Sequence, residues 1–266
     1  MAATIDLYNS SYSNYALDTY GEIRFETYGE DYGQTSWVTT AESHAIPELL
    51  HLSSGSSVLE IGCGSGGYAV HLAKRIGCQV VGLDINAEGV LNGKALAEKD
   101  ELSARAKFER CDVSQRLPIE DNAFDAIYSN DVLCHIPRRS QVFSDLLRVL
   151  RPSGRFLFSD ALIIGGLVSH EEIAIRSSIG IYFFSSPGEN ERLLKQSGFR
   201  EIETRDTTDS ATLLSKRWHD AGEKKKAALV AIEGEENFAG VQRFLTYVHT
   251  LTAEKRLLRF LYTAMK

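Results

Sequence analysis

Long apolar runs are missing from this 266-residue sequence, and none approaches the ~20 residues that a bilayer-spanning helix requires. The opening Met1-Ala2-Ala3-Thr4-Ile5-Asp6 has neither a basic nor an apolar leader region, so no secretion signal is expected. The four cysteines (63, 78, 111 and 134) are scattered without metal-ligand spacing, and the histidines show none either, so no metal is expected. Cys63, Cys78 and Cys111 fall in or beside strand-like runs and read as small, reduced, buried residues, which fits a cytoplasmic chain. Positive charge is also scarce: 29 Lys and Arg against 36 Asp and Glu leave a net charge of −7, which argues against nonspecific nucleic-acid binding. There is no internal repeat and no low-complexity linker.

What is present is an ordinary globular composition, 43% hydrophobic and 24% charged. The chain is organised around Val58-Leu59-Glu60-Ile61-Gly62-Cys63-Gly64-Ser65-Gly66-Gly67. An apolar run ending in an acid, a glycine-rich turn and a helical pattern (Ala69, Leu72, Ala73, Ile76) predict strand, tight loop and helix. Such a loop brings backbone close to a ligand, and the following helix start favours a polar or anionic group. The same glycines satisfy the dinucleotide fingerprint, with Asp84 placed as a ribose-binding acid, so this stretch alone leaves a nicotinamide cofactor open.

From Ser57 onward strands alternate with helices, near 57–61, 79–83, 106–111, 124–128, 155–159 and 199–205, with a last strand in 256–265. This predicts an α/β, doubly wound, mostly parallel seven-stranded sheet. Residues 56–266 read as one Rossmann-like domain with helical cap segments near 161–185 and 209–249. Ser186-Pro187-Gly188-Glu189 reads as a capped helix start, 209–233 and 235–249 as two helices, and Glu223-Lys224-Lys225-Lys226 as a solvated helix face. Residues 1–55 carry seven tyrosines and phenylalanines plus Trp37, too aromatic for a disordered tail. They read as helices broken at Gly21, Gly29 and Gly33, then a helix near 38–51, forming an N-terminal lid that would also suit a homodimer contact.

Three successive strands end in acids: Glu60, Asp84 and Asp112. In an open parallel sheet, ligands sit beyond these ends. One carboxylate there can accept from both ribose hydroxyls, and a second can accept from an adenine amino group. With the glycine loop, Gly82-Leu83-Asp84-Ile85, Cys111-Asp112-Val113, Phe124-Asp125 and Leu150-Arg151-Pro152-Ser153-Gly154, the chain resembles the class I S-adenosylmethionine-dependent methyltransferases. The resemblance covers about 57–160. It implies that Glu60, Gly62 and Gly64 hold the methionine end of S-adenosylmethionine. It further implies that Asp84 takes the ribose, Ile85 packs on adenine, and Asp112 with Val113 reads the adenine edge.

Within that superfamily, Tyr28-Gly29-Glu30-Asp31-Tyr32 and Asn130-Asp131-Val132-Leu133-Cys134-His135 are similar to the phosphoethanolamine and sarcosine N-methyltransferase group. By that match Asn130 and Gln34 face the cofactor's amino-acid end, and Asp131 and His135 form a catalytic or gating pair. Cys134-His135-Ile136-Pro137 with Asp160 is similar to sugar O-methyltransferases, which use that histidine and aspartate around the acceptor hydroxyl. The chain departs from the phosphoethanolamine pattern at Ala161, where a tyrosine is usual, and at Gly180, where a phosphate-gripping arginine would align. Arg176 is one turn away.

The expected activity is therefore methyl transfer to an N or O nucleophile of a small molecule that is not a phosphorylated amine. His135 would be the base, with an unperturbed pKa of about 6.5, and Asp131 or Asp160 would hold its other ring nitrogen. Tyr182, Phe183 and Phe184 are candidate acceptor contacts. Tyr20 is another, and with Tyr15 it is a candidate to cover the cofactor. The alternatives are an NAD(P)-dependent oxidoreductase, for which no tyrosine–lysine pair at short helical spacing is found, and a cofactor-binding protein without catalysis.

Overall fold

The structure, a computed structural model, describes residues 5–266; the leader reading at residues 1–4 lies outside them. Seven strands form one sheet in the order β3-β2-β1-β4-β5-β7-β6. They are β1 (Ser57–Ile61), β2 (Gln79–Asp84), β3 (Ala106–Arg110), β4 (Phe124–Asn130), β5 (Leu150–Ile164), β6 (Arg200–Asp206) and β7 (Leu257–Met265). The first five run parallel, and β7 pairs antiparallel with both β5 and β6. The chain winds outward from β1 to β3 and then returns to place β4 on the other side of β1. That reversal opens a crevice at the carboxyl ends of β1 and β4.

Local chemistry accounts for these elements. Val58, Leu59 and Ile61 of β1 are fully buried, as a central parallel strand covered on both faces requires. Helix α4 (Gly67–Ile76) turns Ala69, Leu72 and Ala73 into the core, the stripe expected from their spacing. Asn86 caps α5 (Ala87–Lys99), accepting from the amides of Glu88 and Gly89 at 3.0 and 3.1 Å. Helix α6 (Arg139–Val149) buries Val142, Phe143, Leu146 and Val149 against the other face.

Ahead of the sheet lie α1 (Tyr8–Ser13), α2 (Asp18–Tyr28) and α3 (Thr40–Leu49). Gly21 does not break α2; the helix ends at Gly29, whose φ of +85° is the left-handed stop. The caps are α7 (His170–Arg176), α8 (Glu189–Ser197), α9 (Thr208–Lys224), α10 (Lys226–Glu233) and α11 (Glu235–Ala253). Three helices thus stand where two were expected, with an interruption at Lys225. The expected capping box at Ser186 does not form, because Gly188 in a left-handed conformation starts α8 instead. The lysine run is not simply solvated either: Lys224 pairs with Glu26 at 2.6 Å and Lys225 with Glu22, tying α9 to α2. Among the described residues no helix is long and apolar enough to cross a membrane.

Candidate active site

A cavity of about 810 Å³ opens at the crevice, roofed by residues 5–12 and 32–38. That volume lies toward the upper end of the range typical of small-molecule sites. Its floor is the glycine loop. The amides of Gly62 and Cys63 both donate to the carbonyl of Leu83, at 2.7 and 3.0 Å, which straps the loop to β2. Gly62 has φ +73°, and a Cβ there would lie 2.3–2.9 Å from the Val132 side chain, so only glycine fits. Gly67 is equally constrained, because its Cβ would meet the backbone carbonyl of Tyr32 in the roof.

Glu60, Asp84, Ile85, Asp112, Val113, Asn130 and Gln34 all line this one space. Glu60 is 4% exposed, and its Oε2 has no hydrogen-bond partner. Burial pushes its carboxyl up to about 8 against the lowering effect of the nearby Tyr128 hydroxyl, with Asp84 adding to the rise. Asn130 Oδ1 is likewise buried without a partner. Asp84 accepts from the amides of Gly64 and Asn86, both at 2.8 Å, and burial outweighs these bonds to raise its pKa. Two accepted amides leave lone pairs on a carboxylate with about four acceptor sites. Asp112 lies two residues beyond β3 and is exposed; the Ser114 hydroxyl first, and then the Ser114 amide, which donates to it at 2.9 Å, hold its pKa low. Ile85 leaves 62% of its surface exposed beside them. Gln34 is folded on its own loop, accepting from Tyr32 N at 2.7 Å and donating to Glu30 O at 2.9 Å.

This donor and acceptor set fits S-adenosylmethionine. Two buried, unpartnered oxygens suit its ammonium group, free carboxylate lone pairs suit its ribose, and an exposed isoleucine suits a base. No lysine or arginine lines the cavity among the described residues, whereas Asp6, Glu60, Asp84, Asp112 and Asp131 do. The wall is therefore matched to a cation.

His135 stands on the 3₁₀ turn Leu133–His135 after β4. Its Nδ1 lies 3.0 Å from the carbonyl of Ile181, and a carbonyl only accepts, so the ring proton is on Nδ1. Nε2 therefore presents its lone pair, and the Tyr8 hydroxyl donates to it at 3.1 Å. The Tyr182 hydroxyl, 3.3 Å from that of Tyr8, then donates in turn. Burial pushes His135 down to about 4, so the ring is neutral at pH 7.

Several expected roles do not survive this geometry. The partner of the second ring nitrogen is a backbone carbonyl, not Asp131 or Asp160. Asp160 lies inside β5 rather than after it, is fully buried, and does not line the cavity. It accepts from Arg139 Nη1 at 2.7 Å and Asn190 Nδ2 at 3.1 Å, while Arg139 also donates to the carbonyl of Leu133 at 3.2 Å. Asp131 does line the cavity, but Arg259 and the Trp37 amide hold both its oxygens.

Of the expected acceptor contacts, Tyr182 does not line the cavity itself but backs its wall, its hydroxyl bonded to that of Tyr8 and its ring tilted against His135 at 4.2 Å between centroids. Phe183 and Phe184 lie outside the cavity. The segment is extended, so Phe183 points outward while Phe184 packs with Leu162, Leu251 and Leu257. Tyr20 bonds Ser10 and Glu233, at 2.8 and 3.2 Å, behind the roof. Arg176 is 2% exposed, stacked between Tyr182 and Phe244 at 4.6 and 5.0 Å, with Nη1 unpartnered. Sequence reasoning missed Tyr8, Arg139 and Arg259 as site residues, since each acts on a partner far along the chain.

Residues 59–158 match the family model described as "Methyltransferase domain". Over 222 residues the chain is 28% identical to phosphoethanolamine N-methyltransferase 3 of Arabidopsis thaliana, covering 83% of this chain and 44% of that protein. Over 151 residues it is 34% identical to a sterol 24-C-methyltransferase of Gibberella zeae, covering 57% and 37%. The chain thus spans less than half the length of these curated relatives. The structure of phosphoethanolamine N-methyltransferase 2 of Haemonchus contortus, solved with phosphomonomethylethanolamine and S-adenosylhomocysteine, superposes with a TM-score of 0.81. It is 22% identical, and the match covers 97% of this chain and 60% of that one. Residues 59–158 are thus similar to a methyltransferase domain, and the strand order and glycine loop agree with the resemblance to the class I S-adenosylmethionine-dependent methyltransferases.

Proposed function

We propose that this chain transfers a methyl group from S-adenosylmethionine to an N or O nucleophile of a small, non-phosphorylated molecule. The observation that carries this reading is the Tyr8–His135 pair in the wall of a cavity that also holds the acid rim and, among the described residues, is lined by no lysine or arginine. The bound cofactor supplies an electrophilic methyl on a sulfonium. Glu60 and Asn130 would hold the amino-acid end, with Gln34 toward its carboxylate. Asp84 would hold the ribose, and Ile85, Asp112 and Val113 the base. Residues 5–38 would act as the lid, since Tyr12 lies over Gly64 and Tyr32 over Gly67.

Tyr8 would pass the acceptor's proton to His135. Its hydroxyl gives a proton to Nε2 while taking one from the nucleophile, and the Ile181 carbonyl holds the ring in the tautomer that can receive it. A base titrating at about 4 is weak. It can still accept at the transition state, because a nucleophile's own acidity rises as the methyl bond forms. Positioning would supply much of the rate.

A second reading has one observation in its favour. Arg176 is buried beside Tyr182 with Nη1 unpartnered, and it would meet a phosphorylated amine if Tyr182 swung aside. The deciding experiment is a metabolite screen with labelled methyl donor that includes phosphoethanolamine. Methylation of neutral acceptors without phosphoethanolamine supports the first reading, and efficient methylation of phosphoethanolamine replaces it with the second.

A further inference from the structure

Five acids line the cavity, and four are accounted for. Asp84 and Asp112 stand at the β2–β3 rim, Glu60 in the floor is assigned to the cofactor's ammonium, and the exposed Asp6 accepts from the amides of Asn9 and Ser10. Asp131 remains, four residues before His135 and held at φ +58°. A bare carboxylate there, in the wall that also holds Tyr8 and His135, would make a receptor for an ammonium acceptor.

It is not bare. Arg259 of β7 is fully buried and reaches across the sheet, its Nε lying 3.0 and 3.1 Å from the two Asp131 oxygens. The Trp37 amide donates to Oδ2 at 2.8 Å. The same guanidinium donates through Nη1 to Glu42 at 2.7 Å and to Thr207 at 2.8 Å. Glu42 shares the cation, but its other oxygen accepts from Thr39 N and Oγ1 at 2.8 and 3.0 Å, at the start of α3. A helix N-terminus favours that negative charge, so the guanidinium serves mainly Asp131.

We propose that Arg259 is a specificity-determining residue: by engaging Asp131 it withholds from the acceptor the acid that would recognise a quaternary or protonated amine, and so selects uncharged acceptors. This rests on reading the His135 end of the cavity as the acceptor site. Asp131 is then a positioning residue that joins the lid, through Trp37, to the turn after β4.

The test uses choline as the cationic probe, titrated by calorimetry into the chain already saturated with S-adenosylhomocysteine. Saturation with S-adenosylhomocysteine is measured first, and failure at that step counts against the methyltransferase reading rather than this one. The wild type and Arg259→Lys, which keeps the charge, are expected to bind choline weakly and alike. Arg259→Gln is expected to bind it at least tenfold more tightly than wild type, and adding Asp131→Asn should remove the gain. Equal binding by wild type and Arg259→Gln, or a gain that survives Asp131→Asn, overturns the proposal. Should Arg259→Gln not fold, the wild type still decides. Tight choline binding that disappears in Asp131→Asn shows the acid to be available and overturns it, and weak binding unchanged by Asp131→Asn supports it.

Discussion

The rim at β1, β2 and β3 takes its side chains from residues 60–64, 84–85 and 112–113, each at the exit of a neighbouring parallel strand. The opposite end takes Tyr8 from the first helix, His135 from the turn after β4 and Tyr182 from a cap loop, with Arg259 behind them on the last strand. At the rim, backbone geometry sets the shape, through strapped amides and glycines that leave no room for a Cβ. At the other end, side chains hold one another across more than a hundred residues of sequence. The rim should therefore tolerate changes at the far end, and the far end should fail piecemeal.

The largest effect expected from breaking the rim is on stability against pH. Burial raises Glu60 from 4.5 to about 8, so between those values the folded chain holds a proton that the unfolded chain has lost. The associated stability is complete below pH 4.5 and is lost as pH rises through 8, a change on the order of 5 kcal/mol. Chemical denaturation of the cofactor-free wild type from pH 5 to 9 should show this loss, and Glu60→Gln should lack it.

Asp160→Ala strips Arg139 of a buried partner and should destabilise the chain by about 3–5 kcal/mol. It should leave S-adenosylhomocysteine binding within about threefold, because Asp160 does not line the cavity. A hundredfold loss of methyl transfer in a folded Asp160→Ala protein that still binds cofactor normally would restore the role at the acceptor expected from sequence.

Tyr8→Phe keeps the ring and removes the proton path. Methyl transfer to whichever acceptor the screen identifies should fall about 10²-fold, the lower end for loss of a proton-transfer group. In the wild type the acid limb of kcat/KM should lie near pH 4 rather than 6.5, since His135 becomes charged only there. A limb at 6.5 would mean that the ring is solvated. The smallest effect belongs to Ile85→Ala. Because the side chain is largely exposed, stability should change by about 0.5 kcal/mol or less, while cofactor affinity drops roughly three- to tenfold through lost apolar burial.

The same contrast explains what could be read from sequence. Glycines 62, 64 and 66 and the strand-end acids are local signals, because a strand, its turn and its helix occupy consecutive residues. The doubly wound, mostly parallel sheet followed from the alternation of strands and helices, and the apolar stripe of α4 from its spacing. Nothing at position 8 announces a partner at 135, and Asp160 carries no mark of the arginine that Arg139 places on it. Aromatic runs also hide their facing: Tyr182 turns inward and Phe183 outward by one step of an extended chain. Gly21 failed as a helix breaker because glycine inside a helix costs only about 1 kcal/mol, which packing of α2 on α9 can offset.

The central claim is that one cavity holds the nucleoside at the acid rim and the acceptor at the Tyr8–His135 pair. Calorimetric titration of S-adenosylmethionine and of NAD into wild type, Asp84→Ala and His135→Asn tests it most directly. The account predicts S-adenosylmethionine binding without NAD binding, lost by about a hundredfold or more in Asp84→Ala and unchanged within about threefold in His135→Asn, with 1.4 kcal/mol for each factor of ten. Binding of NAD in place of S-adenosylmethionine, or cofactor affinity that depends on His135 and not on Asp84, would contradict it.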